Sequence, residues 1–300
     1  MRRLLAATLA LGALAIAPAA QAAPTLTTDA VAFKAYKMSL TLSKNGGGYN
    51  LGVVMTRGNA ASSQFHYWSF PLSAKAVKLT AKGATIKTGS ELGRYGKVNM
   101  TIATQSTRKG DIPCYGVVTS RRGTLAGTLN LKLDGAYFAS VSKRSLAASI
   151  SGALPAPKPN CGPATGGPGS QQPSGTVTLS AFPQDFSAGG VSLSAQRAAD
   201  GAVTHSAYIM ESGATIAPAS SVMHSITAKA PAAGLVAADD LSSATLAFAS
   251  PFLAGNLTFT SSTPPMGTSA FGDVAGALTL KFDAPGVQTI TANQASLSRS

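Results

Sequence analysis

The sequence predicts an all-β protein made of two tandem, duplicated antiparallel domains, each a β-sandwich or a flattened barrel, after a cleaved signal peptide. Apolar and polar residues alternate along most of the chain, which is typical of half-buried strands. Residues 123–134 (GTLAGTLNLKLD) and 272–283 (GDVAGALTLKFD) are identical at seven of 12 positions. Because the offset between them is constant, this match indicates a tandem duplication. A chain of 300 residues is long enough for two domains of ordinary size.

The N-terminus has the three parts of an export signal. Arg2 and Arg3 give it a positive start, and residues 4–17 form an apolar run. Residues 20–22 (AQA) offer small side chains at a cleavage site, so we expect residues 1–22 to be removed. No later stretch is apolar for long enough to predict a transmembrane helix. We therefore expect a secreted or envelope-associated protein.

The two predicted domains differ in charge. A basic β domain spans residues 23–151, a linker residues 152–175, and a mildly acidic β domain residues 176–300; the linker contains six Gly and six Pro. Residues 23–160 carry 18 Lys and Arg against 4 Asp and Glu, whereas residues 161–300 carry 4 against 7. The net charge of +13 therefore comes from the first domain and the signal peptide.

The composition excludes two classes of protein. Charged residues make up only 12% of the chain and apolar residues 45%. Disordered chains need the opposite balance, and coiled coils need abundant Glu, Lys and Arg.

The strands follow from the alternation, and the turns from Gly, Asn, Asp and Pro. The clearest predicted strands are residues 77–82, 84–87, 125–133 and 275–282. The predicted turns are residues 45–48, 134–135, 200–201 and 285–286.

Basic side chains recur around the first of these hairpins. The alternation places Lys78 and Lys82 on one polar face and Lys87 on the polar face of the next strand, with Arg121 and Arg122 at a strand end or turn. Together they predict a positive surface that attracts an anionic cell-wall polymer or glycan. Nucleic acid is a less favoured partner. The alternative is a solvated face that keeps the protein soluble.

The only aromatic-dense stretch contains His66 and the single tryptophan, Trp68, on the same face of a predicted strand as Phe70. Such a face could stack on sugars or bases. The alternative is a core strand in which Trp68 is buried.

Catalytic residue types are scarce. Glu91 lies in a Gly-rich loop, and Asp111 or Asp134 could serve as its partner carboxylate in a glycan hydrolase. His205 and His224 have no distinctive partner in sequence. No Gly-x-Ser-x-Gly elbow, phosphate-binding loop or zinc-ligand spacing is present. We therefore expect no catalytic residue, no metal and no cofactor.

The two cysteines, Cys114 and Cys161, predict one disulfide bond in an exported chain. The function predicted best is a secreted, non-catalytic protein that acts at or outside the cell envelope, with a basic first domain that binds anionic polymers or glycans. The alternatives are an extracellular glycan hydrolase that uses Glu91 and a structural secreted protein without a ligand.

Overall fold

The computed structural model describes most of the chain beyond the predicted signal peptide. The described residues are 23–33, 36–59, 62–113, 115–133, 141–142, 144–153, 175–181, 189–211, 214–230, 234–249, 253–282, 286–291 and 294–300. Cys114, Cys161, Asp134 and most of the predicted linker lie outside these residues, so the disulfide stays a prediction. We call residues 23–153 the first half and residues 175–300 the second half.

The described part of the first half consists of strands and one short 3₁₀ helix, η1 (Gly93–Tyr95). The strands are β1 (Thr25–Thr28), β2 (Val31–Phe33), β3 (Tyr36–Asn45), β4 (Gly48–Gly58), β5 (Ser62–Leu72), β6 (Val77–Thr80), β7 (Gly83–Lys87), β8 (Gly96–Ile112), β9 (Gly116–Leu131) and β10 (Arg144–Ser151).

The described part of the second half also consists of strands and one 3₁₀ helix, η2 (Ala214–Ile216). Its strands are β11 (Val177–Ala181), β12 (Gly189–Arg197), β13 (Val203–Glu211), β14 (Ser221–Ala230), β15 (Leu235–Ala237), β16 (Ser243–Ala249), β17 (Leu253–Ser261), β18 (Ser269–Phe282), β19 (Gly286–Thr291) and β20 (Gln294–Arg299). Over the described ranges, no helix is long and apolar enough to cross a bilayer.

All strand pairings are antiparallel and join both halves into one open sheet. From one edge the order is β6–β7–β8–β9–β10–β1–β3–β4–β5, and β2 pairs with β3 beside β1. The sheet continues as β14–β13–β12–β11–β20–β18–β17–β16–β15, and β19 pairs with β18 beside β20. The order thus reads alike from both ends, with the β5–β14 pair at the centre.

The inward side chains form two separate apolar cores. Trp68, Phe70 and Tyr95 are the largest fully buried side chains of the first core. Phe259 and Leu297 belong to the second. Both cores are lined by every second residue of their strands, as the period-2 geometry of a strand dictates.

Two glycines occupy corresponding places in β9 and β18. Gly127 has a φ of 147° and Gly276 a φ of 122°. Residues that carry a side chain rarely adopt these φ values. A Cβ on Gly127 would collide with the backbone carbonyl oxygen of Asn99, and one on Gly276 with that of Asn256. The two halves therefore use glycine for the same close strand approach.

The all-β, antiparallel prediction is confirmed. The two predicted sandwiches or flattened barrels are seen instead as one large open sheet, because β5 and β14 pair over eight residues and make the sheet continuous. The β6–β7 hairpin also turns two residues earlier than predicted. Thr80 Oγ1 accepts hydrogen bonds from the backbone N–H groups of Lys82 and Gly83, at 3.2 Å each, so Lys82 lies in the turn.

Candidate anion-binding face and buried histidine pair

Strands β6 to β9 present a polar outer face. Alternation buries Val77, Ile86 and Val98 on the inner side, and it leaves Lys78 and Lys87 exposed on the outer side. Both lysines were predicted from the sequence to lie on polar strand faces, and both do.

The strand register brings polar side chains next to these lysines. Lys78 pairs with Thr85, which pairs with Thr101 of β8. Two residues along the strand, Lys87 pairs with Asn99. Because paired residues of antiparallel strands share a face, hydroxyl and amide groups flank the ammonium groups.

Two further lysines continue the same face. Lys97 of β8 is exposed and pairs with Asn130. Lys132 follows β9, is exposed, and donates its backbone N–H to the Tyr95 carbonyl oxygen at 2.9 Å. Its neighbours on either side are buried, so the alternation of β9 places Lys132 outward. We call Lys78, Lys87, Lys97 and Lys132 the lysine face.

Within the part of the chain that the structure describes, this face carries no acidic side chain at its outward positions. Those positions are Lys78, Thr80, Gly83, Thr85, Lys87, Lys97, Asn99, Thr101, Ala103, Thr124, Ala126, Thr128, Asn130 and Lys132. Because these described positions hold no carboxylate, the lysines there add to one positive potential.

A cleft of about 290 Å³ opens at one end of the lysine face. Lys78 and Lys82 line it together with three threonines and with the apolar residues Ala84 and Ile102 of β7 and β8. Thr104 Oγ1 donates a 2.9 Å hydrogen bond to the Lys82 carbonyl oxygen, which fixes the hairpin turn against β8. The cleft thus combines two cations with neutral hydrogen-bonding groups.

The predicted arginines do not join this group. Arg121 and Arg122 lie within β9, not at a strand end or turn as predicted, because the β8–β9 hairpin continues to Ile112 and Gly116. Arg122 forms an ion pair with Asp29, which offsets part of its charge. The positive residues predicted as one surface therefore fall into two regions.

The structure places His66 and Trp68 in the interior, each 0% exposed. Their burial agrees with the core-strand alternative, whereas a surface stacking platform would require an exposed ring. His66 Nδ1 lies 2.7 Å from His224 Nδ1, across the β5–β14 pair. Trp68 packs edge-on against the His224 ring, with centroids 5.9 Å apart.

The two histidine rings form a hydrogen bond through their Nδ1 atoms, with one proton between them. With two Nδ1 atoms at hydrogen-bond distance, one ring must donate and the other accept, so their tautomers are complementary. Burial lowers the pKa of His224 to about 4, and it also lowers the pKa of His205 to about 4. All three histidines of the chain are buried, and at neutral pH His205 and His224 are uncharged.

Further hydrogen bonds join the two halves at the junction. Ser220 Oγ donates to Ser69 Oγ at 3.0 Å, and Tyr95 Oη donates to the Ile216 carbonyl oxygen at 3.1 Å. Ile216 and its neighbours pack into the first core. The second half thus helps to close the first.

Glu91 and Asp111 do not form a catalytic pair, and Asp134, the other predicted partner of Glu91, lies outside the described residues. Glu91 Oε1 accepts a hydrogen bond from the Ser73 backbone N–H at 3.2 Å, near the start of β8. Asp111 lies near the far end of β8, roughly 50 Å from the start of that strand at about 3.3 Å per residue. Glycosidases hold their carboxyl groups within about 10 Å. Among the described residues, no group of His, Cys, Asp and Glu side chains could hold a metal ion.

Sequence reasoning missed Lys97, Lys132 and the His66–His224 contact. Alternation alone indicates that Lys97 and Lys132 point away from the core, but only the strand register places them beside Lys87. The two histidines are 158 residues apart, and no local sequence pattern predicts that β5 pairs with β14.

Comparisons with known proteins assign no family. No protein-family model and no curated protein matches the chain. Among solved structures, the chain is similar to kievitone hydratase from Nectria haematococca, with 7% identity, coverage of 93% of this chain and 89% of that chain, and a TM-score of 0.22. A similarity at that level carries no inference about fold or activity.

Proposed function

We propose that the mature chain is an exported, non-catalytic protein that binds anionic polymers or glycans at or outside the cell envelope, through the outer face of its first half. The observation that carries the proposal is the lysine face: four exposed lysines on one sheet surface whose described outward positions contain no carboxylate. Lysine ammonium groups attract oxyanions as point charges, and neighbouring hydroxyl and amide groups can hydrogen-bond to them.

The cleft beside Lys78 and Lys82 favours a binding protein over a purely structural one. A structural protein without a ligand has no need of a cleft lined by two cations. The distance between Glu91 and Asp111 gives the glycan hydrolase no support.

We further propose that the two halves are duplicated domains. The constant offset of 149 between residues 123–134 and 272–283, the mirrored strand order and the matched positions of Gly127 and Gly276 all support this. Two separate apolar cores support a division into two domains.

Retention on an anionic matrix across a salt series tests the binding proposal. The probe is immobilised polygalacturonate, and the test variant replaces the four residues of the lysine face by alanine. The matched control removes the same charge from exposed lysines elsewhere: Lys44, Lys75, Lys109 and Lys229.

We expect the unsubstituted protein to bind at low salt and to elute as salt rises, because counterions screen exposed charges. The lysine-face variant should bind at least about 10-fold more weakly, and the control should lose much less. Absence of binding at low salt, or equal losses in both variants, would contradict the proposal.

A further inference from the structure

The four residues of the lysine face are not scattered; they follow a regular diagonal across the strands. Going from Lys78 to Lys87 moves one strand across the sheet and two residues along it. The step from Lys87 to Lys97 repeats this move, since Lys87 pairs with Asn99. The step from Lys97 to Lys132 repeats it again, since Lys97 pairs with Asn130.

Sheet geometry sets the period of this diagonal. Neighbouring strands are about 4.8 Å apart and two residues span about 6.6 Å, so successive lysine Cα atoms are about 8 Å apart. Three such steps give a track about 24 Å long. Strand twist turns the track by roughly 60 to 75° from end to end. An occupant must therefore be long, charged at intervals and able to bend.

The side chains between the lysines limit the class of ligand that this face can bind. The outward positions carry threonines and asparagines, which can exchange hydrogen bonds with hydroxyl groups. They carry no aromatic ring, whereas single-stranded nucleic acid is held by base stacking on aromatic side chains. A polymer rich in hydroxyl groups and in repeated oxyanions complements this surface.

We propose that the diagonal of Lys78, Lys87, Lys97 and Lys132 is a track for one linear acidic polysaccharide, whose carboxylates meet successive lysines. The inference rests on the proposed function and adds the direction and periodicity of the bound chain. Affinity then depends on where the charges lie, and not only on how many there are.

Moving one charge without changing the composition tests the track. The variant Lys97→Thr/Thr101→Lys exchanges two residues on the same face of β8 and takes the third cation off the diagonal. The matched control, Lys109→Thr/Thr107→Lys, makes the same exchange at exposed positions nearer the far end of β8. Thermal unfolding of both variants shows that the fold is retained.

Titration calorimetry with oligogalacturonates of increasing length reads out the result. We expect affinity to rise with length until the oligomer spans the track and then to level off. The Lys97/Thr101 exchange should weaken the longest oligomer about 5-fold or more, with little effect of the control exchange.

Three outcomes would overturn the track. Equal affinity of the exchanged and the unsubstituted protein would leave a diffuse positive face, so the proposed function would stand without the track. Length-dependent binding of polyphosphate with none of oligogalacturonate would overturn the polysaccharide class. If no polyanion binds even the unsubstituted protein, the proposed function fails as well.

Discussion

The outer faces of the two halves have the same strand pairing but differ in charge. In the first half Lys87 pairs with Asn99, and at the matching place in the second half Ala247 pairs with Asn256. The asparagine is the same and the lysine is not. The asparagine is thus common to both halves of the fold, whereas the lysine is specific to the first half.

The same contrast recurs along the diagonal. Lys78 corresponds to Val236, which is 53% exposed, and Lys97 corresponds to Ala254. An exposed valine at the place of Lys78 shows that the sheet does not require a lysine there for folding. The fold itself therefore does not account for the cation at this position of the first half.

The first half also extends its hairpin further. The β8–β9 ladder continues past Gly123 to Ile112 and Gly116, whereas the β17–β18 ladder ends at Ser261 and Gly272. The two halves thus diverge in surface charge and in one hairpin, while their pairing order is retained.

Lowering the pH should produce the largest loss of stability, and this loss should arise in the second half and at the junction. In the unfolded chain His205 and His224 have pKa values near 6.5, and in the folded chain about 4. Protons therefore bind the unfolded state more tightly, and stability falls as pH drops from about 6.5 towards 4. Between pH 7 and 4.5 we expect a loss of about 2 to 3 kcal/mol per histidine, or about 5 kcal/mol together.

Urea unfolding at the two pH values, followed by the fluorescence of Trp68, measures this loss. The double variant His205→Asn/His224→Asn should show a much weaker pH dependence. A free energy of unfolding that is equal at pH 7 and 4.5 would refute the account of the buried histidines.

The cysteines should affect only the first half. Both precede the second half, and a bond between Cys114 and Cys161 would close a 47-residue loop, worth about 4 kcal/mol by the entropy of the unfolded chain. Reduction should therefore speed hydrogen exchange in strands of the first core and leave the second unchanged. Two free thiols in the denatured, unreduced protein would show that the bond does not exist.

The paired glycines should behave alike in the two halves. Gly127→Ala and Gly276→Ala each place a Cβ against a neighbouring carbonyl oxygen at a positive φ, so each should cost about 2 kcal/mol or more. Gly83→Ala is the matched control, since its Cβ would meet nothing within 4 Å. Denaturant midpoints measure all three, and a neutral Gly276→Ala beside a harmful Gly127→Ala would break the correspondence.

Much of the fold could be predicted from the sequence, and most of the candidate site could not. Alternation identified β6, β7 and the outward direction of Lys78 and Lys87, because the period of a strand is local. The partner of a strand is not local, so the sequence could not place Lys97 beside Lys87, nor bring His66 to His224. Composition located the positive half because charges can be counted without a structure.

Transplanting the diagonal gives the smallest expected effect. Val236→Lys, Ala247→Lys and Ala254→Lys, introduced together into the chain that lacks the lysine face, should restore binding of polygalacturonate about 10-fold. Lys281 already occupies the place that corresponds to Lys132. Three lysines placed instead at the half-buried Thr204, Ser206 and Thr227 keep the charge equal and should restore less. Equal recovery in both chains would mean that charge alone decides binding.

The most direct test of the central claim leaves the sequence unchanged. Lysines of the mature protein are acetylated with and without saturating polygalacturonate, and mass spectrometry gives the labelling of each residue. We predict strong protection of the lysine face and unchanged labelling of Lys44 and Lys229, which are exposed elsewhere. Protection of Lys229 with none on the lysine face would contradict the account.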